Sequence, residues 1–250
     1  AVTVPFVSVI VPTHRRPVLL GRLLRSLVAQ DWPRDACEVI VVHNATPDET
    51  EAVVRGIAAE ADIPIAYHAT AFSGPGPSRQ FGAERARGAI LAFIDDDCEA
   101  TPGWIAAGAA AIAQGCALVQ GRTLPHPAQR RQLMEKTVSV TGPTPYFETC
   151  NIFYDAAVFR AEDTALGWTV RRAGHRTGFA GDALVHHEVF AVPFAKWLAE
   201  PRAMRHWPFL ARAFPEIRRE LFLGVFLSRL TAAFDLFVLA LLLAPLSAWA

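Results

Sequence analysis

Three consecutive carboxylates are the residues of this chain whose types and spacing most clearly suggest chemistry. Asp95, Asp96 and Asp97 directly follow the apolar run "AILAFI". Charge repulsion and lost hydration both oppose placing three acids at the end of a buried strand, so the cluster predicts a ligand that offsets this cost. Hard divalent cations such as Mg²⁺ and Mn²⁺ prefer carboxylate oxygen and leave coordination positions open for substrate phosphates. A solvated acidic turn is the alternative, since acids are common in turns.

Strand geometry predicts the direction in which each of the three acidic side chains points. Successive side chains of an extended strand point to opposite faces, so Asp95 and Asp97 should face one ligand together. Asp96 should point to the other side, where it supports the loop or caps the helix that follows.

The elements that position these acids alternate between short β-like runs and helical patterns over the first 125 residues. Strands are predicted at 7–11, 37–42, 63–68, 89–94 and 117–123. Helical patterns follow them at 19–27, at 46–60 with Thr46 as the cap and Pro47 first, at 77–88 with Gly88 closing the helix, and at 101–115. This alternation predicts an α/β fold with a mostly parallel central sheet and helices on both faces.

Ligands of such sheets bind at the carboxyl ends of the strands. Three polar clusters fall at these ends, at 13–16, 43–46 and 95–97. The first turn reads "PTHRRP" and lacks G-x-G-x-x-G, and no Walker A sequence occurs. These absences argue against an NAD enzyme and against a P-loop ATPase.

Composition limits the classes of binding partner and the cellular setting that we expect. The 24 basic and 24 acidic side chains balance, which gives no indication of a nucleic-acid partner. Arginine supplies almost all of the positive charge, and the only lysines are Lys136 and Lys196. The four cysteines are scattered without a C-x-x-C pair, so we expect reduced thiols in a cytoplasmic setting. The opening "AVTVPFVSVIVP" lacks a basic n-region, so no signal peptide is expected there.

The last part of the chain has a different character. Between 221 and 250 only Arg229 and Asp235 are charged, and a spanning helix needs about 20 apolar residues. The stretch 201–220 mixes arginines with Trp207 and several other large apolar side chains, a composition typical of an interfacial segment on anionic lipid. We therefore expect 193–250 to form membrane-associated helices, with a buried core helix as the alternative for 221–250.

Four motifs in order together resemble glycosyltransferase family 2, the inverting enzymes with a GT-A fold. They read "VSVIVPTHRRPVLLGRLLRSLVAQ", "EVIVVHNATPDET", "GPGPSRQFGAERARGAILAFIDDDCEATPGWI" and "AEDTALGWTVRRAGHRTGFAGDALVHHEV", and they cover about residues 6–190. The resemblance implies a GT-A domain over 1–192, in which 1–123 bind the nucleotide sugar and 124–192 carry the acceptor and catalytic functions. It also implies a nucleoside diphosphate sugar donor with a divalent metal, Mn²⁺ or Mg²⁺, on its diphosphate.

Positions that match the family's motifs take their roles from it. Pro12, Thr13 and His14 would contact the base, Arg79 would lie beside base and diphosphate, Asp95 would reach the ribose, and Asp97 and His187 would bind the metal. Asp163 would be the general base within the acidic pair Glu162–Asp163. His186 is the other choice of metal ligand, and Arg16, Asn44 and Asp96 complete the donor-binding candidates.

The chain also departs from the family pattern. His43–Asn44 stand where the family often has an acid that contacts the base, which leaves the nucleotide open. Ala165 and Thr169 replace a frequent Asp and Arg of the catalytic helix. Only "RA" separates "NIFYDAAVF" from "EDTALGW", where relatives usually carry a further loop.

Together these features predict a membrane-associated inverting glycosyltransferase. It would move a sugar to a lipid-linked or cell-envelope glycan acceptor at the cytoplasmic face of the membrane. A sugar nucleotidyltransferase is one alternative, although it should carry a Gly-rich basic loop after the first strand. A catalytically degenerate scaffold that binds nucleotide or membrane is the other, and His43–Asn44, Ala165 and Thr169 are its support.

Overall fold

The computed structural model describes residues 4–46, 48–72, 74–131, 134–159, 164–199, 207–224, 226, 229, 232–233 and 235–240. The chain divides into two units, Ala1–Leu198 and Ala199–Ala250. The first unit contains the acid cluster.

Ten strands are present among the described residues of the first unit. They are β1 (Val7–Thr13), β2 (Cys37–His43), β3 (Ile65–Ala69), β4 (Ile90–Ile94), β5 (Cys98–Ala100), β6 (Leu118–Pro125), β7 (Glu135–Lys136), β8 (Asn151–Asp155), β9 (Thr177–His187) and β10 (Phe190–Ala191). Eight of them form one sheet in the order β3-β2-β1-β4-β8-β6-β9-β5, and β7 pairs with β10. The helices are α1 (Pro17–Val28), α2 (Glu49–Glu60), α3 (Pro75–Ala83), α4 (Trp104–Ala113), α5 (Thr164–Arg172) and α6 (Phe194–Ala199).

The sheet is parallel in its first half and mixed in its second. Strands β3, β2, β1 and β4 run parallel to one another. Strand β8 is antiparallel to both β4 and β6, β6 and β9 are parallel, and β5 is antiparallel to β9. The predicted α/β fold with a mostly parallel central sheet is therefore confirmed, except that the sheet is mixed. Strands β5, β7, β8, β9 and β10 were not predicted from the sequence.

Helices pack on both faces of the parallel half. The four buried leucines of α1 form one core with Val9 and Val11, which lie on the same face of β1. The alternate residue Ile10 points to the other face, where α3 packs so closely that a Cβ on Gly82 would lie 2.6 Å from Ile10 Cγ2. Burying a leucine of α1 stabilises the fold by about 1.5–3 kcal/mol, so this packing holds the start of α1 against the end of β1.

The predicted caps of two helices differ from those in the structure. Helix α2 begins at Glu49 and is capped by Asp48, whose carboxylate accepts a hydrogen bond from the Thr50 amide at 2.8 Å. The predicted Thr46 cap is therefore wrong, and Pro47 lies outside the described residues. Helix α3 ends at Ala83 instead of Gly88, and Gly88 has another role. A Cβ there would come within 2.6 Å of the Ser8 amide nitrogen, so glycine allows the close approach of two backbones.

A buried carboxylate links three chain segments at the amino ends of the parallel strands. Glu38, at the start of β2, accepts hydrogen bonds from Ser8 Oγ at 2.7 Å and from the Arg87 amide and Nε, each at 2.9 Å. Burial alone would raise the pKa of Glu38, but these hydrogen bonds outweigh burial and hold the pKa below its ordinary value. The ionised carboxylate therefore stabilises the folded state.

Replacing this carboxylate should weaken the fold in a pH-dependent way. Glu38→Gln should lower the free energy of unfolding at neutral pH by about 2 kcal/mol, since charge-assisted hydrogen bonds are lost. The stabilisation from Glu38 is present above its unfolded pKa and is lost as pH falls through the lower folded pKa. Urea unfolding at neutral and acidic pH should show the gap between the two proteins closing on acidification. A gap as large in acid as at neutral pH would contradict this, and exposed Glu60→Gln is the control.

The second unit presents several large apolar side chains to solvent. Helix α7 (Trp207–Ala213) and a 3₁₀ turn (Pro215–Arg219) are its first described elements. The large apolar side chains that are exposed among its described residues are Phe209, Leu223, Leu236, Phe237, Val238 and Leu239. Within the described part of the chain, none of the helices combines the length and the apolar character needed to cross a membrane.

Candidate active site

A cleft of about 610 Å³ opens at the carboxyl ends of β1, β2 and β4. All of the predicted donor-binding and metal-binding residues line it, namely Pro12, Thr13, His14, Arg16, Asn44, Arg79, Asp95, Asp96, Asp97 and His187. Parallel strands β1, β2 and β4 end at one edge of the sheet, which explains why residues far apart in sequence meet here.

The three acids occupy a turn instead of a strand. Strand β4 ends at Ile94, and the Cys98 amide donates to the Asp95 carbonyl at 3.1 Å. Because the chain turns at Asp95, the alternation of an extended strand does not apply. Asp96 and Asp97 both contact Arg16 Nη1, so the prediction that Asp96 points away from Asp97 is wrong. The prediction that Asp96 supports the loop is confirmed by its hydrogen bond from Thr13, and all three acids line the cleft.

Asp96 ties this acid turn to the turn after β1. It is 5% exposed, and its carboxylate accepts hydrogen bonds from Thr13 Oγ1 at 2.7 Å and from Arg16 Nη1 at 3.1 Å. The His14 amide lies 3.4 Å from the same carboxylate. Burial raises the pKa of Asp96 to about 6, against the opposing effects of Thr13 and Arg16. Asp96 therefore acts as a buried brace between two loops of the cleft.

Arg79 and Asn44 are fixed by neighbours on either side of the cleft. Arg79, buried in α3, forms an ion pair with Asp95. Asn44 Nδ2 donates to the Gly74 carbonyl at 3.1 Å, and the His14 Nδ1–H donates to Asn44 Oδ1 at 2.8 Å. These contacts hold the end of β2 against the start of α3, at the positions predicted to receive the nucleotide.

Asp97 and His187 face each other with the geometry of a metal site. His187 Nδ1–H donates to the Glu188 carbonyl at 2.7 Å, so the neutral imidazole carries its lone pair on Nε2. That nitrogen lies 3.5 Å from Asp97 Oδ1, a buried oxygen with no hydrogen bond from any residue that the structure describes. Two facing lone pairs in a buried position fit a cation between them, and the nitrogen and carboxylate donors suit Mn²⁺. The residues present therefore fit a divalent metal ion.

The neighbouring side chains are less suitable as ligands. Cys98 Sγ lies within 4.8 Å of the Asp97 and His187 ligand atoms. Its interaction with Cys150 and its burial raise the pKa of the Cys98 thiol well above the usual value, so the thiol stays protonated at neutral pH. His186 points away from the cleft towards His126, with ring centroids 5.9 Å apart. Of the two histidines that the sequence left open, His187 is the one in the cleft.

The predicted catalytic pair, Glu162 and Asp163, lies outside the described residues. Helix α5 begins directly after it, at Thr164. Trp168 in this helix is buried, and its Nε1–H donates to the Pro145 carbonyl at 3.0 Å. The helix is thereby joined to the segment 141–150, which precedes β8.

The residues that form one wall of the cleft were not predicted from the sequence. Lys136, Phe190 and Lys196 line it from β7, β10 and α6. The two-residue strands carry too little periodicity to be recognised, so nothing placed Phe190 at the site. The rarity of lysine was a usable signal, because both lysines of the chain lie in this one cleft.

Comparison with known proteins identifies the domain that carries this cleft. The family model described as "Glycosyl transferase family 2" matches residues 8–167. The glycosyltransferase AglE of Haloferax volcanii is 33% identical over 120 residues, which cover 48% of this chain and 40% of that protein. A Campylobacter jejuni protein named GalNAc(5)-diNAcBac-PP-undecaprenol beta-1,3-glucosyltransferase is 35% identical over 100 residues, covering 40% of this chain and 32% of that protein. The chain thus spans less than half the length of these curated relatives.

Solved structures share the fold. A mannosyltransferase from Pyrobaculum calidifontis, solved in complex with GDP-Man and Mn²⁺, superposes with a TM-score of 0.67 at 22% identity. The match covers 86% of this chain and 65% of that one. At 22% identity the match shows a shared fold, and this match extends over most of the chain.

Proposed function

The chain belongs to glycosyl transferase family 2, and we propose that it transfers a sugar from a nucleoside diphosphate sugar to an acceptor hydroxyl with the help of a divalent cation. The observation that carries this proposal is the pairing of the buried Asp97 Oδ1 with His187 Nε2 in a cleft that four basic side chains also line. The arrangement provides a site for a cation next to a site for an anion, as a metal-bound diphosphate requires.

Cationic side chains around the cleft suit the diphosphate. Arg16, Arg79, Lys136 and Lys196 all line it, so the negative charge of a diphosphate would be met from several directions. Pro12, Thr13, His14 and Asn44 would then receive the nucleoside at the ends of β1 and β2. The complex of the mannosyltransferase with GDP-Man and Mn²⁺ supports this class of donor.

Asp97 and His187 would hold the metal ion. When bound, such an ion stabilises the negative charge that develops on a departing nucleoside diphosphate. The chain's own part is to orient these two ligands: the Glu188 carbonyl sets the His187 tautomer, and Asp96 fixes the acid turn through Thr13.

Asp163 would take the proton of the acceptor hydroxyl as the general base, with Glu162 as its partner. A carboxylate within hydrogen-bond reach of the hydroxyl can perform this step. The oxygen then attacks the anomeric carbon as the bond to the diphosphate breaks, and a single displacement inverts the configuration. The support for these two residues is their place in the sequence pattern, directly before α5.

A lipid-linked or cell-envelope glycan at the cytoplasmic face of the membrane is the acceptor that we propose. The Campylobacter jejuni relative is named for an undecaprenol diphosphate-linked glycan, which supports this class. The exposed apolar side chains of the second unit also favour binding to a lipid surface.

Membrane association should be measurable with vesicles. The full chain should co-sediment with anionic phospholipid vesicles and much less with neutral ones, because arginines accompany the apolar side chains. Replacing exposed Phe237 and Leu239 together with serine should lower the bound fraction, whereas exposed Val18→Ser in the first unit should leave it unchanged. Equal sedimentation of all three proteins would contradict the assignment of this surface.

A donor screen tests the proposed activity. The purified protein is incubated with a panel of GDP- and UDP-sugars and Mn²⁺ or Mg²⁺, and release of the nucleoside diphosphate is measured. We expect release from at least one donor, loss of release with a chelator, and recovery on adding the metal back. If no donor is bound or hydrolysed, the proposed function is wrong and the domain is a scaffold.

A further inference from the structure

Arg16 holds two buried acids of the candidate metal site at the same time. Its Nη1 lies 3.1 Å from Asp96 Oδ1 and 2.7 Å from Asp97 Oδ2. The Arg16 side chain is 44% exposed, whereas those of Asp96 and Asp97 are 7% and 10% exposed. A cation that solvent can reach therefore neutralises carboxylates that solvent barely reaches.

The two oxygens of Asp97 point to different partners. Oδ2 meets the Arg16 guanidinium, and Oδ1 faces His187 Nε2. One carboxylate is thus offered to arginine on one side and to a metal ion on the other. A guanidinium so close repels a divalent cation and reduces the negative charge that attracts it.

A movement of the Arg16 side chain away from the acids would leave the backbone cap of α1 in place. Residue 16 caps α1, but its side chain makes no capping hydrogen bond. The guanidinium lies over the Phe190 ring, 5.3 Å from the centroid, on the wall of the open cleft. Asp96 would keep its hydrogen bond from Thr13 after such a movement.

We infer that Arg16 couples metal binding to donor binding. It weakens the site for a metal ion alone, and a diphosphate that enters the cleft compensates by drawing the guanidinium to its own negative charge. Metal and donor therefore strengthen each other's binding by the same factor, as linkage requires. This inference rests on the proposed function, because it takes the diphosphate as the ligand of the cleft.

Binding of Mn²⁺ to the full chain tests the coupling, measured by electron paramagnetic resonance or calorimetry with and without saturating GDP or UDP. The wild-type protein should bind Mn²⁺ weakly alone and markedly tighter with the matching nucleotide. Arg16→Gln should bind Mn²⁺ alone about tenfold tighter, and its enhancement by nucleotide should shrink by about the same factor. Unchanged or weaker binding of Mn²⁺ alone would overturn the inference and leave Arg16 as a support for Asp97.

Two further variants separate charge from position. Arg16→Lys keeps the positive charge, so its affinity for Mn²⁺ alone should stay within about threefold of wild type. Arg25→Gln removes an arginine of the same helix whose guanidinium donates to the Gly21 carbonyl at 3.2 Å, and should behave as wild type. A tenfold gain in Arg25→Gln would show a non-specific charge effect and overturn the inference. A wild-type protein that binds no Mn²⁺ even with nucleotide would instead overturn the proposed function itself.

Discussion

Asp97→Asn should abolish metal-dependent donor binding and reduce sugar transfer by about a thousandfold or more. The amide has nearly the shape of the carboxylate but no charge, and a hard cation binds it far less well. Asp97 Oδ1 is also the buried oxygen that faces His187 Nε2, so another side chain cannot easily take its place. Calorimetry of nucleotide binding with and without Mn²⁺ measures the first effect, and kcat/KM for sugar transfer measures the second.

The control for this variant is an acid outside the cleft. Asp62 is 63% exposed and pairs with Arg34 on the surface, so Asp62→Asn should retain binding and activity. Thermal unfolding of both variants shows whether the fold is intact. A folded Asp97→Asn protein that still binds nucleotide more tightly with Mn²⁺ would show that Asp97 is not the metal ligand.

The second large effect is expected at Asp163, and it should fall on a different step. Asp163→Asn should leave the affinity for donor and metal unchanged but lower transfer to the acceptor by about a hundredfold to ten-thousandfold, the range for general acid–base catalysis. An amide cannot accept the proton of the acceptor hydroxyl. Equilibrium binding of the nucleotide and the single-turnover rate of transfer separate the two effects.

Asp182, an exposed acid of β9, provides the comparison for Asp163. Asp182→Asn should transfer sugar at the normal rate. Normal transfer by Asp163→Asn would exclude it as the base, and Glu162→Gln would then be the next variant to measure. Loss of donor binding in Asp163→Asn would place this residue in the donor site instead.

The sequence predicts the cleft well because parallel strands end together. Val9 and Val41 lie in β-branched runs that predict strands, and the polar residues after such runs meet at one edge of the sheet. Residues as distant as Thr13 and Asp96 were therefore expected in one site, and their hydrogen bond joins them there. The ends of parallel strands predict the position of a cleft well, because that position depends on the sheet topology and not on the arrangement of individual side chains.

Side-chain arrangement within the cleft could not be predicted in the same way. The end of β4 at Ile94 was predicted correctly, but the orientation of the acids depends on the turn that follows, where the alternation of an extended strand does not apply. The choice between His186 and His187 depends on the register of β9 against β5, which pairs Cys98 with His187. The contact of Arg16 with Asp97 joins residues 81 positions apart, so no local sequence pattern predicts it.

The most direct test of the account is a crystal structure of the protein with Mn²⁺ and the nucleoside diphosphate that its donor screen selects. Anomalous scattering at the manganese edge locates the ion independently of the protein coordinates. We predict an anomalous peak bonded to Asp97 Oδ1 and His187 Nε2, with the diphosphate in the cleft between Arg16 and Arg79. A manganese peak elsewhere, or a nucleotide bound outside this cleft, would contradict the assignment of the site.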